Sequence, residues 1–523
     1  MENLSRVGIL ATIITVALTF VACGSGGAAD NRPTVGSVSA TQNPLVVEYD
    51  VTGYHNDASA WVEFGPDVNY GRKTSPSNAT TSNPHTIRIL VAGMKPSTTY
   101  HMRAHASWTG GAWVDQDQTF TTGAIPTQTS TGPLTVPVIA VTRPVPNLAT
   151  SGGVELIDAT PQGSSKADNL DAFVTDLDGN VIWYYDVGAG SYPFPIRPMA
   201  NGDFLVGIGG ANLGAPLLRE IDLAGNTVRE ISVAQINTSL AQNGYSFTIT
   251  AFHHDAIVLP NGHWITIAQT FNNFTNLTGY PGTMTVYGDA VIDIDTSGKA
   301  VWAWSAFDHL DVNRHPFGLP DWTHSNALVY TPNDGNLLLS MRDQSWILKL
   351  DYANGAGTGD VLWRLGNEGD FAIAGGDPIQ WFYGQHFPSL IGTDGSQITL
   401  AVFDDGNMRF ENTSGELCGA GGTTCISRAT VFQIDESTKV ATCDWQFTNS
   451  LFTAWGGSIN QLADGDIEFD MSQPFLPQYP AASLIQEVTQ TTSPALVWQM
   501  TLSGTNVYRG YRIPSLYPGV SWQ

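Results

Sequence analysis

Charged residues are scarce in this sequence, and basic ones are the scarcest. Only 13% of the 523 residues are Asp, Glu, Lys or Arg, and 22 basic residues stand against 47 acidic ones, a formal net charge of −25. A field of that sign repels polyanions, which argues against nucleic acid as a partner. An anionic substrate would have to be held by a local cluster of donors, so each inward-pointing Arg or His is a candidate.

Cysteine is also scarce, with four residues in the chain. Cys418 and Cys425 bracket a glycine-rich loop, and an oxidising compartment would favour a disulfide between them. No second pair of Cys or His lies nearby at the spacing of a zinc site, and we predict neither a metal nor a cofactor. Cys443 lies in an apolar, strand-like segment and is predicted to be a buried free thiol.

The sequence also has little that resembles a membrane-spanning segment, because the apolar run over residues 7–22 is only 16 residues long. That length is short for a span and typical of a signal-peptide core. The run ends in Phe-Val-Ala-Cys at residues 20–23, which resembles a bacterial lipobox. We predict a lipoprotein-type signal peptide over residues 1–23, with Cys23 lipidated, and an exported protein anchored in the periplasm or at the cell surface. A plain secretory signal or a retained anchor is the alternative.

Aromatic residues and turn formers are abundant: 15 Trp, 17 Tyr, 22 Phe, 54 Gly and 29 Pro. This mix favours a turn-rich β protein, and 523 residues favour two or more domains. Residues 30–123 show strand-like runs at the spacing of a small β-sandwich, and residues 61–65 and 93–100 resemble a fibronectin type III domain. Residues 124–133 are predicted to be a linker.

Residues 134–523 repeat one pattern. A strand ends in a Gly-containing turn, and the next strand carries a Trp four residues after the Gly, as at Trp183, Trp302 and Trp363. Asn-Gly and Asp-Gly hairpin signals alternate with these turns, and two hairpins per unit predict four-stranded blades. We count about six units. The predicted fold class is therefore all-β, a six-bladed β-propeller preceded by a small β-sandwich.

Histidines recur at one place in three of these units. His253 with its neighbour His254, His324 and His386 precede the Gly of the second hairpin by nine to eleven residues. The inner strands of a propeller begin around a common channel, so equivalent positions converge. A lone His is more often structural, but three at one repeat position, among 11 in the chain, predict a site.

An arginine belongs with these histidines. Arg342 ends an apolar strand, which requires either a buried partner such as Asp343 or an anionic ligand. Asn407 and Arg409 follow the third histidine in a polar turn and could line the same mouth, although solvated loop positions are the simpler interpretation.

Three imidazoles and a guanidinium suit group transfer through a covalent histidine. One neutral imidazole attacks while the other donors hold the oxygens of the transferring anion. A zinc site of three histidines is the first rival, but two of its ligands usually come from one short motif. A Ser-His-Asp hydrolase is weaker, since no Gly-x-Ser-x-Gly turn occurs.

Several segments resemble the bacterial PAPS-independent arylsulfate sulfotransferase family. They are Phe-His-His-Asp at residues 252–255, His-Ser-Asn-Ala-Leu at 324–328, Ser-Met-Arg-Asp-Gln at 340–344, Gln-His at 385–386 and Phe-Asp-Asp-Gly-Asn at 403–407. The similarity covers most of residues 134–523. Its most specific part is the His-Ser-Asn-Ala-Leu segment with an Arg eighteen residues after its His.

The resemblance implies a six-bladed propeller and ping-pong transfer of a sulfuryl group from a phenolic sulfate ester to a phenol. His386 would be the transiently sulfated nucleophile, and His254 could replace His253 because the doublet leaves the alignment open. The binding and supporting residues would be His324, Arg342, His253 and Asn326. The expected partners are the two small phenolic compounds, with a membrane contacted only through the lipid anchor.

Two other functions stay open at this point. A non-catalytic surface propeller could use the same fold to display a binding face. A metal-dependent lyase or hydrolase would use the histidines as ligands.

We expect the mature protein to begin with a lipid-modified Cys23, because the lipobox places the cleavage site directly before it. Mass spectrometry of the N-terminal peptide from membrane fractions measures this, and Cys23→Ser is the matched control that should abolish the lipid mass. An unmodified N-terminal residue other than Cys23 would contradict the prediction.

Overall fold

A computed structural model describes residues 33–53, 56–79, 86–128, 134–160, 168–187, 191–209, 214–410, 417–418, 425–474 and 482–522. The predicted signal peptide and Cys23 lie outside the described residues, as does part of the predicted linker. Within the described part of the chain, no helix is long and apolar enough to cross a membrane.

Two small sheets come first in the chain. One has the order β1-β2-β6, and the other has the order β4-β3-β7-β8 with β5 paired to β3 and β9 paired to β7. Alternate residues of β2 and β3 are buried in one shared core, the pattern of sheets that face solvent on one side. The fibronectin type III resemblance of this sandwich stays a prediction. The strands are β1 (Ser37–Ala40), β2 (Val47–Thr52), β3 (Ser59–Gly65), β4 (Arg72–Lys73), β5 (Ser77–Asn78), β6 (Thr86–Val91), β7 (Thr99–Trp108), β8 (Gly111–Val114) and β9 (Gln118–Thr121).

In the described residues the remaining elements are almost all strands, joined by two short helices and three 3₁₀ turns (Arg342–Gln344, Ala353–Gly355 and Pro378–Gln380). In chain order they are β10 (Leu134–Thr135), β11 (Val138–Thr142), β12 (Val154–Thr160), β13 (Asp168–Asn169), β14 (Ala172–Thr175), β15 (Val181–Tyr185), β16 (Tyr192–Pro198), β17 (Phe204–Gly209), β18 (Leu217–Ile221), β19 (Thr227–Ser232), α1 (Val233–Gln242), β20 (Ala251–Val258), β21 (Trp264–Leu277), β22 (Tyr280–Ile294), β23 (Ala300–Ser305), α2 (Ala306–His309), β24 (Ser325–Thr331), β25 (Asn336–Met341), β26 (Trp346–Leu350), β27 (Val361–Leu365), β28 (Ala372–Ile373), β29 (His386–Asp394), β30 (Gln397–Asp404), β31 (Arg428–Asp435), β32 (Val440–Phe447), β33 (Ile459–Gln461), β34 (Ile467–Met471), β35 (Ala482–Val488), β36 (Leu496–Ser503) and β37 (Asn506–Ile513).

Six sheets form the blades of a propeller, which confirms the predicted fold class. They are blade 1 (β37-β12-β14-β15), blade 2 (β16 to β19), blade 3 (β20 to β23), blade 4 (β24 to β27), blade 5 (β29 to β32, with β28 outside) and blade 6 (β33 to β36, with β11 outside). Neighbouring blades contact each other through their inner strands, from β16 through β20, β24, β29 and β33 to β37. Short antiparallel strands with Gly turns give this architecture.

The recurring tryptophans join each blade to the next. In five blades the indole N–H of an outer-strand Trp donates a hydrogen bond to the outer turn of the following blade, which explains the repeat seen in the sequence. In blade 2, where the repeat lacks its Trp, Arg229 donates to the carbonyl of Thr296 at 3.2 Å instead. The Trp pairs are Trp183 to Leu223 (2.8 Å), Trp302 to Gly357 (3.1 Å), Trp363 to Glu436 (2.6 Å), Trp445 to Thr491 (3.0 Å) and Trp498 to Leu177 (2.9 Å).

The last strand closes the ring, because β37 pairs with β12 of the first blade. Arg512 of β37 forms ion pairs with Glu155 (2.6 Å), Glu468 (3.0 Å) and Glu487 (2.5 Å). Three carboxylates around one guanidinium leave an excess of buried negative charge. Burial, followed by the neighbouring Glu155, holds the pKa of Glu468 well above its usual value, which favours its protonated form.

The residues after β37 attach the sandwich to the propeller. The Tyr517 hydroxyl accepts a hydrogen bond from the Ala92 N–H (2.7 Å) and donates one to the Leu90 carbonyl (2.8 Å). The Trp522 indole packs so closely on Gly93, whose φ is 95°, that a Cβ there would lie 2.4 Å from the ring. The glycine of the 93–100 segment is therefore required by this contact.

We expect Glu468→Gln to reduce the loss of stability at alkaline pH. A raised folded-state pKa contributes stability below the ordinary pKa of Glu and loses it as pH rises through the folded value. The wild-type Tm should therefore fall more between about pH 6 and pH 9 than that of the variant, with a difference of about 2 °C or more at the upper end. Glu230→Gln, at an exposed carboxylate, is the control. Parallel Tm curves for wild type and Glu468→Gln would contradict the assignment.

Candidate functional site

The three repeated histidines lie at the irregular starts of neighbouring inner strands. His253 lies in the bulge of β20 before Ala256, His386 begins the bulge of β29 before Ser389, and His324 directly precedes β24, whose register shifts between Ser325 and Ala327. Each of these three segments contains one non-glycine residue in the left-handed region: His254 (φ 56°), His324 (φ 45°) or Phe387 (φ 41°). Bulges of this kind redirect side chains and cluster at functional sites.

His386 is buried with its two ring nitrogens in different surroundings. Its Nε2 accepts a hydrogen bond from the Gly456 N–H at 3.2 Å, and its Nδ1 lies 2.8 Å from Asp405 Oδ2. Nε2 therefore holds a lone pair, and Nδ1 carries the proton. Burial, followed by the charge of Arg342, lowers the pKa of His386 well below its usual value. The ring is a neutral nucleophile at neutral pH.

Asp405 was not recognised as a site residue from the sequence, although it lies in the Phe-Asp-Asp-Gly-Asn segment. It follows β30 directly, two residues after Phe403, which pairs with His386 across the strands. Its carboxyl group is fully buried, and burial raises its pKa well above the usual value, against the charge of Arg342. The strand pairing that places Phe403 opposite His386 is the feature that could have identified Asp405 as a site residue.

Gly456 lies in blade 6 at the repeat position that a histidine occupies in blades 3, 4 and 5, where the sequence reads Trp-Gly-Gly-Ser. The φ of Gly456 is 70°, and a Cβ there would lie 2.0 Å from Ser472 Oγ. Only glycine brings this N–H to His386. The sixth blade thus supplies a backbone donor instead of an imidazole.

His324 and Arg342 supply the positive side of the site. The Nδ1 of His324 lies 2.5 Å from Asp321 Oδ2, and although burial lowers its pKa, the contact with Asp321 outweighs burial and raises it. Arg342 binds Asp343 Oδ1 at 2.5 Å and donates to the Ala454 carbonyl at 3.1 Å. Its Nε is buried with no hydrogen-bond partner in the described residues. Arg342 therefore has the acidic partner that the sequence allowed and still keeps one unused donor.

His253 and His254 occupy different surroundings. His253 Nε2 lies 3.1 Å from Asp289 Oδ1, and the two Nδ1 atoms lie 2.7 Å apart. The His254 ring centroid is 4.8 Å from that of His324. His254 thus faces the other site histidines, while His253 faces a carboxylate.

Asn326 holds the backbone next to His386 in place. Its side-chain N–H donates to the Gln385 carbonyl at 2.7 Å, directly before His386, and its own carbonyl accepts from Arg509 at 2.5 Å. Arg509 also binds Asp255 at 3.0 Å. Asn326 therefore fixes the backbone that carries His386, while its Oδ1 is buried without a partner in the described residues.

The polar turn after β30 lies beside the site. Asn407 packs on Gly384, where a Cβ would lie 2.9 Å from its Oδ1, and no contact joins Asn407 to a site histidine among the described residues. Arg409, for which a solvated position was the simpler interpretation, is buried and binds Asp404 at 2.6 Å. The turn is thus part of the scaffold around His386.

The cysteines of this region are paired as the sequence favoured. Cys418 and Cys425 form a disulfide with Cα atoms 5.0 Å apart, and the Cys418 N–H donates to the Arg409 carbonyl at 2.7 Å. Cys443 is a free, partly buried thiol whose pKa burial raises to about 11.

Tyr508 of β37 lies among the site residues and was not identified from the sequence. Its ring centroid is 5.8 Å from His254, 5.9 Å from His386 and 4.6 Å from Phe194. Its hydroxyl is buried with no hydrogen-bond partner in the described residues. A hydroxyl buried among aromatic rings without a partner is a group that a polar aromatic ligand could satisfy.

A metal fits this arrangement poorly. Asp321, His324 and Asp343 each offer one possible ligand atom, and these atoms lie within 4.8 Å of one another. The guanidinium of Arg342, however, already binds Asp343, so a metal ion would lie against a second cation. An anion with several oxygens suits the donors better.

Comparisons with known proteins place this geometry in context. The family model described as Arylsulfotransferase (ASST) matches residues 144–512. No curated protein matches the chain. The distantly similar solved structures include a putative 6-phosphogluconolactonase from Bacteroides fragilis (11% identity, 71% of this chain and 100% of that chain, TM-score 0.36) and a DUF4784 family protein from Bacteroides caccae (8% identity, 86% of this chain and 91% of that chain, TM-score 0.28).

We expect His386 to be a neutral imidazole with its proton on Nδ1, because Gly456 donates to Nε2 and Asp405 faces Nδ1. Proton–nitrogen correlation NMR of the protein labelled with ¹⁵N-histidine measures the tautomer, and His386→Gln identifies the signal. Asp405→Asn should raise the fraction protonated on Nε2, because an amide N–H can donate to Nδ1. An Nε2-protonated or cationic ring in the wild type at neutral pH would contradict this assignment.

Proposed function

Because the chain belongs to the arylsulfotransferase (ASST) family, its general activity is sulfuryl transfer, and we propose that it moves a sulfuryl group from a phenolic sulfate ester to a phenolic acceptor by a ping-pong mechanism. The intermediate is a sulfohistidine at His386, and the reaction is independent of the nucleotide donor PAPS. The observation that carries the proposal is the hydrogen bond from the Gly456 N–H to His386 Nε2, which leaves that nitrogen without a proton near the charges of Arg342 and His324.

The first half-reaction is a displacement at sulfur. His386 Nε2 gives up its hydrogen bond from the Gly456 N–H and uses the same electron pair for the new N–S bond, and the bond from sulfur to the phenolic oxygen breaks with its pair going to the phenolate. In the second half-reaction a phenol loses its O–H proton to water, its oxygen forms a bond to the same sulfur, and the N–S bond breaks, returning the pair to Nε2. Neither half-reaction needs an oxidant or a nucleotide.

Positioning and charge stabilisation supply the catalysis in this proposal. The three sulfuryl oxygens gain negative charge in the transition state, as in phosphoryl transfer. His324 and the free Nε–H of Arg342 are preorganised donors for those oxygens, and each such donor is worth roughly 10² to 10³ in rate. Asn326 acts through the backbone of His386 and is a positioning residue.

The aromatic residues around Tyr508 support phenolic substrates. Tyr192, Phe194 and Tyr508 form one buried cluster with Trp455 packed against it. Flat rings stack on such clusters at low entropic loss. The unpaired Tyr508 hydroxyl gives the cluster a polar atom at which the oxygen of a phenol is recognised.

The location of the enzyme is part of the proposal. We place it outside the cytoplasm, held to a membrane by lipid on Cys23 and otherwise free of the bilayer. The apolar run over residues 7–22 and the Phe-Val-Ala-Cys segment support this location. The Cys418–Cys425 disulfide suits an oxidising compartment.

His386→Ala should abolish transfer from a chromogenic aryl sulfate to a phenol, by on the order of 10⁴-fold or more, because no other side chain replaces the covalent step. Donor-treated wild type should carry one sulfo group per chain, mapped to His386 by mass spectrometry under alkaline conditions. His263→Ala, outside the site, is the control.

Transfer that survives in His386→Ala would contradict the covalent role. A protein that binds the aryl sulfate but never cleaves it would support a binding propeller, and activity lost on chelation would support metal dependence.

A further inference from the structure

The hairpin of β21 and β22 extends beyond the other strands of blade 3. The two strands pair over their whole length, whereas β23 pairs with β22 only as far as Ala290. Residues 270–288 therefore form an arm that projects from the blade. On this arm Phe271 and Tyr287 lie directly opposite each other, 45% and 38% exposed. Two adjacent exposed rings form an apolar patch, which is more informative than a single exposed ring.

We propose that Phe271 and Tyr287 bind an aromatic ring of the substrate other than the ring that carries the reacting oxygen. The arm thereby makes the enzyme favour phenols that have a second aromatic ring over phenol itself. The inference rests on the proposed function and deepens it, because it names the class of phenol that the site takes.

The face of the arm that carries these rings continues into the site. Successive side chains alternate between the two faces of a strand, so Tyr287 and Asp289 of β22 share one face. Asp289 is buried, its Oδ1 lies 3.1 Å from His253 Nε2, and its Oδ2 accepts a hydrogen bond from Thr323 Oγ1 at 2.6 Å. Two residues of a strand span about 7 Å, so Tyr287 follows one such step outward from the carboxylate that contacts His253.

A second pairing places Tyr287 beside His324. Tyr287 forms a parallel bridge with Asp321. Its N–H donates to the Pro320 carbonyl (2.8 Å), and its carbonyl accepts from the Trp322 N–H (2.9 Å). Paired residues of a sheet have their side chains on the same face, and Asp321 Oδ2 in turn lies 2.5 Å from His324 Nδ1. Both pairings of β22 therefore put the ring of Tyr287 at the edge of the histidine site.

The opposite face of the arm is packed against the protein. Val286 belongs to the apolar core cluster shared by blades 3 and 4, and Phe274 and Met284 pack against that cluster. The Tyr280 hydroxyl at the tip accepts a hydrogen bond from the Leu319 N–H at 3.1 Å. The arm is thus attached along its length, and an ordered platform binds a ring without the entropic loss of ordering a loop.

A flat aromatic group suits this position. Another ring stacks on Phe or Tyr with centroids about 4.5 to 7 Å apart. The side chain of Asp321 is 54% exposed, so the surface between Tyr287 and His324 is open to solvent. Because Asp321 separates the arm from His324, a group stacked on the arm lies one side chain away from the sulfuryl oxygens. The second ring of a two-ring phenol extends over that gap.

The test compares phenol with 4-phenylphenol, two acceptors of similar acidity that differ by one ring. Enzyme is loaded with 4-nitrophenyl sulfate, freed of donor, and mixed with either acceptor, and loss of the sulfo group from His386 is followed by mass spectrometry. At equal sub-saturating concentrations, wild type should transfer to 4-phenylphenol roughly 10-fold faster than to phenol, because the second ring adds contacts with the arm.

Phe271→Thr and Tyr287→Thr remove the rings and keep β-branched side chains, which favour strands. Each should slow transfer to 4-phenylphenol about 3- to 10-fold, by raising the concentration needed for half-maximal rate, and leave transfer to phenol within about 2-fold. Tyr287→Phe keeps the ring and should behave as wild type. Leu362→Thr is the matched control, since Leu362 is a 47% exposed side chain on the outer strand of blade 4.

Equal slowing of both acceptors, or an unchanged ratio of their rates, would overturn the inference while the sulfo group on His386 still supported the proposed function. An unchanged ratio in variants that sediment as a smaller species than wild type would also overturn it, and would assign the two rings to a contact between copies of the chain. If one Thr variant does not fold, the other decides by the same ratio. A wild type that forms no sulfohistidine would overturn the proposed function and this inference with it.

Discussion

The pairing of β37 with β12 closes the ring of blades, and the site depends on that closure. The last strand brings Tyr508 between His254 and His386, and it brings Arg509 to both Asp255 and the carbonyl of Asn326. The same strand holds Arg512 among three glutamates of blades 1 and 6. If the ring opened, the histidines of blades 3, 4 and 5 would lose the side chains that orient them. The geometry of the site therefore depends on the pairing of β37 with β12.

The hydrogen-bond donors at the site differ in charge from the protein as a whole. The chain has a formal net charge of −25, yet the donors around His386 are cationic or neutral. Buried carboxyl groups near the axis contribute less negative charge than their number suggests, because burial raises the pKa of Asp405 and Asp470 well above the usual value. The pKa of Asp289, by contrast, is lowered by its hydrogen bonds. Arg342 and His324 therefore place cationic donors near His386 within a strongly acidic protein.

The fold was largely predictable because its signals are periodic. The Gly-turn and Trp pattern predicted the blades, and in the structure five of these Trp residues each donate a hydrogen bond to the next blade. The histidines could be found because repeat position determines which residues face the channel. Asp405, Asp289 and Tyr508 could not be found that way, since they reach the site from strands other than the histidine strands: Asp405 follows β30, Asp289 lies on β22 and Tyr508 lies on the closing strand β37. The choice between His253 and His254 depended on a bulge that sequence spacing does not reveal.

The central claim is that the sulfuryl group passes through His386 rather than directly between two phenols. Each displacement at sulfur inverts its configuration, so the number of displacements can be read from the product. The measurement is transfer from an aryl sulfate made chiral at sulfur with three oxygen isotopes. Two displacements through the imidazole predict net retention of configuration in the product ester, whereas net inversion would show a single direct transfer and contradict the account.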